Sequence, residues 1–117
     1  MKNKEFAKQL EARTRNFAVK TIRVSSSLPN TPEGKAIKYQ LTKSATSVGA
    51  NYREANRARS RPDFKNKIKI CESEASETVY WLTIIDELEW IATPIIQMLI
   101  SESKQLLAIF TSIGKRL

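Results

Sequence analysis

The clearest structural pattern in the chain is IKYQLTKSATSVGANYREA, residues 37–55. Its apolar and small side chains recur every three or four residues, at Ile37, Leu41, Ala45, Val48, Tyr52 and Ala55. An α-helix has about 3.6 residues per turn, so this spacing places them on one helical face. The segment therefore predicts an amphipathic helix with one buried face and one face in solvent.

Three further segments repeat the same spacing. The first contains Phe6, Leu10, Phe17, Val24 and Leu28. The third contains Phe64, Ile68, Cys71, Ala75, Thr78, Leu82 and Ile85, and the fourth contains Ile96, Leu99, Ser103, Leu106, Phe110, Ile113 and Leu117. No stretch sustains the alternation of period two that a half-buried strand requires, so the sequence predicts helices only.

Breaks that contain proline separate the four segments. Thr31-Pro32 and Thr93-Pro94 each predict a helix N-cap followed by proline at the first helical position. Ser60, with Asp63 three residues later, predicts a capping box. Long helices joined by short turns pack as antiparallel neighbours. The prediction is an all-α, antiparallel up-and-down four-helix bundle that forms a single domain, residues 1–117.

The third segment has a second apolar stripe, turned by about 100° from the first. The stripe consists of Ile70, Trp81, Ile84, Leu88 and Ile91. A broad core face that drifts along the helix explains it, and so does an interface between subunits. We expect a homo-oligomer with Trp81, Ile84, Leu88 and Ile91 at its interface, although the sequence does not give the number of subunits.

Positive charge is concentrated in the first 70 residues. The net charge is +8, and residues 1–70 hold 17 Lys and Arg against five Asp and Glu, whereas residues 71–117 hold three against seven. Such asymmetry is typical of a protein with one surface that faces a polyanion. The candidate phosphate-binding residues are Lys35, Lys43, Arg53, Arg57, Arg59, Arg61, Lys65, Lys67 and Lys69. The alternative is a solvated basic face that only keeps the protein soluble.

The composition removes most of the usual catalytic arrangements. The chain has no histidine and one cysteine, which excludes Ser-His-Asp and Cys-His pairs, histidine-containing zinc sites and an internal disulfide. Its three glycines are isolated, so no glycine-rich phosphate loop is present. Neither a secretory signal nor a membrane span is expected, which predicts a soluble, cytoplasmic protein without a cofactor or bound metal.

Two features remain as weak candidates for chemistry. Cys71 lies on an apolar stripe and is expected to be an inert core thiol. Glu54, Glu74 and Glu77 could hold a divalent cation, but a solvated or arginine-paired face is the simpler interpretation. The four phenylalanines, Phe6, Phe17, Phe64 and Phe110, fall on core stripes. We therefore expect no base-stacking platform, and any bound RNA would be recognised by shape and phosphate.

The segment SVGANYREA, residues 47–55, resembles the signature of the four-helix-bundle proteins encoded in intervening sequences of 23S ribosomal RNA. That family is also called a 23S-associated ribosomal protein family. Residues 60–64 and 72–82 resemble its third-helix start and acidic-aromatic segment, and the likeness extends from about Phe6 to Leu107. Tyr52 departs from the aliphatic residue usual in the family, and Ala55-Asn56 departs from its frequent glycine.

The resemblance implies a four-helix bundle with a basic surface that assembles into a ring, commonly a pentamer, and is not an enzyme. Accessory proteins of diversity-generating retroelements look similar, and this likeness implies binding to nucleic acid and to a reverse transcriptase. The positions that match the family signature are Asn51, Glu54, Glu74, Glu77, Tyr80 and Trp81. We interpret Asn51 and Glu54 as structural residues that tie the second helix to a neighbouring helix or subunit.

Three hypotheses follow from these observations. The first is an oligomeric, non-catalytic bundle that binds RNA or DNA through phosphate contacts. The second is a protein-interaction adaptor that docks a partner through the second apolar face of the third helix. The third, a carboxylate metalloenzyme, rests only on Glu54, Glu74 and Glu77.

Overall fold

The computed structural model describes residues 2–117, with side chains from residue 4 onward. Four α-helices make up almost all of this range, and no strand occurs within it. The helices are α1 (Lys2–Ser25), α2 (Pro32–Ala55), α3 (Arg61–Glu87) and α4 (Thr93–Lys115). Each begins and ends close to the breaks predicted from proline and hydroxyl residues.

Each helix packs against its neighbours in the chain, and α1 also contacts α4. Across residues 2–117 the backbones of the diagonal pairs, α1 with α3 and α2 with α4, do not approach each other closely, and these helices meet only through side chains in the core. The molecule measures 45 × 24 × 20 Å, which is about one helix length by two helix diameters. The predicted all-α, antiparallel up-and-down four-helix bundle is confirmed.

The core follows the predicted stripes. Leu41, Val48 and Ala45 of α2 are fully buried, and Tyr52 contacts Phe110 edge to face with 5.5 Å between ring centroids. The remaining buried apolar residues are Leu10, Phe17, Leu28, Ala55, Ile68, Cys71, Ala75, Leu82, Ile85, Ile96, Leu99, Ile100 and Leu106. One apolar core therefore runs the length of the bundle.

Buried hydroxyl groups join three of the four pairs of adjacent helices. Ser25 on α1 and Thr42 on α2 are hydrogen-bonded at 3.1 Å. Thr78 on α3 donates to Ser44 on α2 at 2.9 Å. Ser103, the one polar member of the α4 stripe, donates to the carbonyl of Ala75 on α3 at 3.1 Å. These bonds satisfy polar groups that would otherwise be costly to bury.

The fourth pair, α1 with α4, is held differently. Arg13 donates from Nε and Nη2 to the two carboxylate oxygens of Glu102, at 2.7 and 2.8 Å, and also to Gln105. Beside this ion pair lies an open cleft of about 490 Å³. Ile95 and Met98 on α4 stay exposed near it, so this side of the bundle is the least closed.

Two of the three predicted N-caps are present. Thr31 accepts a hydrogen bond from the backbone N–H of Gly34, and Ser60 accepts one from the backbone N–H of Asp63. The predicted Thr93 cap is wrong, because α4 begins at Thr93 itself and the N-cap is Ala92, which has no side-chain cap. Thr93 and Pro94 both lie in the first turn of α4.

The end of α3 also differs from the prediction. The helix ends at Glu87 and Leu88 is its C-cap, so Ile91 lies in the connection to α4 and not on the predicted second stripe. Glu89 adopts a left-handed backbone conformation with φ of 58°. The N–H of Glu89 then donates to Asp86 and that of Trp90 to Ile85, which is the Schellman arrangement of a helix terminus.

One predicted core aromatic is not in the core. The side chain of Phe6, in the second turn of α1, is 49% exposed. Phe17 and Phe110 are fully buried, and Phe64 is half-buried against the core.

Candidate nucleic-acid interface

The outward face of α2 carries the first group of predicted phosphate-binding residues. Lys35, Lys43 and Arg53 are all exposed. At about 100° per residue they lie opposite the buried stripe of Leu41, Val48 and Tyr52. The amphipathic pattern of α2 therefore holds these cations in solvent.

Arg53 borders a cleft between α1 and α2. The cleft has a volume of about 190 Å³, and Arg15 of α1 and Arg53 of α2 are among the residues that line it. Small residues form much of the lining, among them Ala18, Gly49 and Ala50, and its one carboxylate, that of Glu11, accepts a hydrogen bond from Asn56. Two guanidinium groups beside small side chains allow a phosphate to come close to the helix surface.

Gly49 brings the two helices close together at this cleft. A Cβ atom at residue 49 would lie 2.8 Å from Oγ1 of Thr14, closer than real Cβ contacts come. Thr14 is fully buried, and its hydroxyl donates to the carbonyls of Leu10 and Glu11. The absence of a side chain at residue 49 thus sets the width of the α1–α2 groove.

The other predicted cations lie beyond the end of α2 or on α3. Arg57 and Arg59 lie in the α2–α3 connection and Arg61 begins α3, and all three are exposed. Lys69 lines a shallow groove together with Glu72 and Glu77, which are also on α3, and with Leu107 on α4. Lys65, one helical turn earlier, is on the same side of α3, whereas Lys67 is half-buried. The predicted continuous run is therefore divided over at least two sides of the bundle.

None of the nine predicted cations is neutralised by an ion pair. Among the side chains of residues 4–117, the ion pair within 4.0 Å is that of Arg13 with Glu102. The pKa of Glu74 on α3 is raised, first by burial and then by the nearby charge of Glu77. The charge of Lys43 opposes this shift without forming an ion pair with Glu74. Unpaired like charges on one face repel each other, and a polyanion relieves that repulsion.

The acidic residues of α3 make structural contacts. Glu72 accepts a hydrogen bond from the hydroxyl of Thr111 at 2.7 Å, and Glu77 accepts one from the indole N–H of Trp81 at 3.0 Å. Within the described residues, no group of three acidic or cysteine side chains is placed to hold a metal ion. The hypothetical cation site of Glu54, Glu74 and Glu77 therefore has no geometric support.

Cys71 is buried in the core, as predicted. Burial raises the pKa of its thiol to about 12. The thiolate, which is the reactive form, is scarce at neutral pH.

The predicted interface residues of the second stripe have different environments. Trp81 and Ile91 pack against the core of their own chain, and Ile84 is half-buried. Leu88 is 47% exposed and is the most accessible of the four. Ile70, also on this stripe, is half-buried.

The family-signature residues of α2 make only local contacts. The side-chain amide of Asn51 donates to the carbonyl of Ser47 in its own helix at 2.8 Å, and Glu54 is exposed. Within the part of the chain that the structure describes, neither side chain has a hydrogen bond to another helix. On α3, the exposed Tyr80 contacts the ring of Trp81 edge to face, with 5.0 Å between centroids.

Two residues of this surface were missed in the sequence. Tyr39 lies among the lysines of the outward face of α2 with 63% of its surface exposed. Its position one turn from both Lys35 and Lys43 is visible in the sequence as spacings of four. Arg15 gave no such signal, because the pairing of α1 with α2 that brings it near Arg53 is tertiary.

None of the helices in residues 2–117 combines the length and the apolar character that crossing a bilayer requires.

Comparisons with known proteins agree with this architecture. The model of the 23S rRNA-intervening sequence protein family matches residues 7–112. The chain is also similar to a crystal structure of a protein of unknown function from the S23 ribosomal protein family of Bacteroides thetaiotaomicron. The sequence identity is 34%, the TM-score is 0.83, and the alignment covers 90% of this chain and 97% of the other. No curated protein matches the chain.

Proposed function

The chain belongs to the 23S rRNA-intervening sequence protein family. From this premise, we propose that it is a non-catalytic protein that binds RNA or DNA through phosphate contacts. The observation that carries the proposal is the pair Arg15 and Arg53 beside a cleft of small residues, with Lys35 and Lys43 exposed on the same helix as Arg53.

The chemistry of this surface fits a nucleic-acid backbone. Guanidinium groups donate two parallel hydrogen bonds to a phosphate, which favours arginine at such sites. Each phosphate that the protein neutralises releases counterions, so affinity falls as salt rises. No base edge is read by these contacts, and the proposed binding is largely independent of sequence.

Charge neutralisation at the cleft tests the proposal. We expect Arg15→Gln with Arg53→Gln to weaken binding of a fluorescent structured RNA about equally for different sequences. The double variant should also make the plot of log affinity against log salt shallower by about 2, or about 1 per lost phosphate contact. Both quantities come from anisotropy titrations over a salt series.

Two matched variants keep the net charge equal to that of the cleft variant. Lys104→Gln with Lys115→Gln removes two exposed charges from α4, and Lys65→Gln with Lys69→Gln removes two from the other side of α3. Both should change affinity less than the cleft variant does. Equal effects of all three pairs would mean that overall charge, and not this surface, attracts the nucleic acid.

We further propose that the chain self-associates, with a second copy covering Leu88. Leu88 is exposed at the end of α3, and Asp86, Glu87 and Glu89 surround it in the sequence. Arg57, Arg59 and Arg61 are exposed at the opposite end of α3. The acidic end of one copy is therefore complementary in charge to the basic end of another, and a contact of this head-to-tail kind generates rings when it closes.

A further inference from the structure

Tyr39 is an exposed aromatic ring inside a basic surface. It is 63% exposed, in the first third of the outward face of α2, with Lys35 one turn before it and Lys43 one turn after it. Among the described residues, its hydroxyl has no hydrogen-bond partner and its ring contacts no other aromatic ring. No hydrogen bond or aromatic contact among residues 4–117 accounts for an aromatic side chain at this position.

The other strongly exposed tyrosine has a different environment. Tyr80 is 59% exposed, but its ring packs edge to face on Trp81, and the indole of Trp81 is hydrogen-bonded to Glu77. Tyr80 thus belongs to a local cluster on an acidic part of α3. The two residues have similar exposure and opposite electrostatic surroundings.

An aromatic ring between cations suits an unpaired base. In a duplex the flat faces of the bases are covered by their neighbours, whereas an unpaired strand exposes them for stacking. Lysines on either side of the ring would then contact the phosphates that flank the stacked base. Stacking of one base on an aromatic side chain contributes about 1–3 kcal/mol.

The distance from Tyr39 to the α1–α2 cleft determines how many nucleotides a strand needs to contact both. Ala50, in the cleft lining, is 11 residues after Tyr39 in the same helix, which is about 17 Å along the axis. At a rise of about 3.4 Å per stacked nucleotide, this distance corresponds to about five nucleotides. One strand of that length reaches both the ring and the two arginines.

We propose that α2 binds a single-stranded segment of RNA or DNA, with one base stacked on Tyr39 and the backbone passing between Arg15 and Arg53. This inference rests on the proposed nucleic-acid binding and adds its substrate class, an unpaired strand. It also replaces the expectation that the aromatic residues take no part in recognition.

The test compares single strands with duplexes. Fluorescein-labelled RNA and DNA single strands of about 12 nucleotides, and blunt duplexes of the same length, are titrated by anisotropy with the wild type and variants. We expect Tyr39→Ala to weaken single-strand binding about tenfold and to change duplex binding by less than about twofold. The separate RNA and DNA arms identify which of the two strands is preferred.

Three controls make the result specific to stacking. Tyr39→Phe keeps the ring and should bind as the wild type does, and Tyr80→Ala removes an equally exposed ring from the acidic surface and should have no effect. Tyr39→Ala should leave the salt dependence unchanged, because the ring carries no charge. Circular dichroism checks that each variant keeps its helices.

The outcomes separate this inference from the proposed function. If the wild type binds with a steep salt dependence but Tyr39→Ala behaves like Tyr80→Ala, the stacking inference is wrong and phosphate binding stands. An equal loss on duplex and single strand would also overturn the inference. If the wild type binds neither nucleic acid, the proposed function fails, and Tyr39 then marks a protein contact.

Discussion

At the scale of single residues, Gly34 shows how a missing side chain shapes a helix start. Its backbone N–H donates to the N-cap Thr31, and the preceding loop folds back so that the carbonyl of Pro29 lies against its Cα. The backbone of Gly34 does not have a positive φ. Space, and not conformational freedom, is therefore what glycine provides here.

Gly34→Ala should destabilise the protein by about 2 kcal/mol, because the new Cβ would overlap the carbonyl oxygen of Pro29, a backbone atom that cannot move alone. Urea denaturation followed by circular dichroism measures the change. Gly114→Ala is the control, since the nearest atom to its Cβ is 3.9 Å away, and it should stabilise by up to about 0.5 kcal/mol through helix propensity. If Gly34→Ala left the stability unchanged or increased it, the loop that contains Pro29 would have to move to make room for the new Cβ.

At the scale of secondary structure, helix starts were easier to predict than helix ends. Thr31 and Ser60 cap their helices through short local bonds that depend only on nearby residues. The end of α3 carries no glycine or proline, and apolar residues continue through Leu88 to Ile91. The chain nevertheless leaves the helix there, with Glu89 in the left-handed region and Trp90 packed on the core.

Replacing Glu89 by glycine should stabilise the protein by about 1 kcal/mol, because glycine adopts a positive φ without the steric cost that other L-residues have. Glu89→Ala separates this effect from the loss of a negative charge near a helix C-terminus, and its gain should be much smaller. Chemical denaturation of the three proteins gives both differences. Equal gains for the two variants would mean that charge, and not backbone conformation, limits stability at this turn.

At the scale of the whole molecule, the bundle is closed unevenly and its charge is divided. Hydroxyl groups form hydrogen bonds between three of the four helix pairs, while Arg13 forms those between α1 and α4 among the described residues. The exposed apolar residues Met98 and Leu88 mark two different sides that a second copy could cover. Only Leu88 is set among acidic residues that complement the basic end of the chain.

Leu88→Asp should reduce the native mass toward that of the 13.3 kDa monomer, because it places a charge at the proposed contact between copies. Light scattering coupled to size-exclusion chromatography measures the mass. Met98→Asp, which changes a more exposed apolar residue beside α1, should leave the mass unchanged. A wild type that is already monomeric, or an equal effect of both variants, would contradict self-association through Leu88.

The number of helices, their approximate limits and most of the core could be predicted from the sequence. Burial of one helical face imposes a period of 3.6 residues, and the residues at Leu41, Val48, Ile68 and Leu106 carry that period. Phe6 fits the period and is nevertheless 49% exposed, because periodicity gives the face of a residue and not whether a neighbouring helix covers it. The Thr93 cap failed because Thr-Pro fits either the cap or the first turn of a helix.

The candidate site was predictable only in part. Helical spacing is enough to place Lys35, Lys43 and Arg53 on the outward face of α2. The same spacing places Tyr39 there. The packing of α1 on α2 brings Arg15 next to Arg53. The packing of α3 on α4 places Lys69 in a different groove, beside Leu107. Along most of each helix the sequence by itself determined which face is buried and which is in solvent, because that depends on periodicity within one helix. Only the tertiary structure decided which side chains lie together, because that depends on how the helices pack.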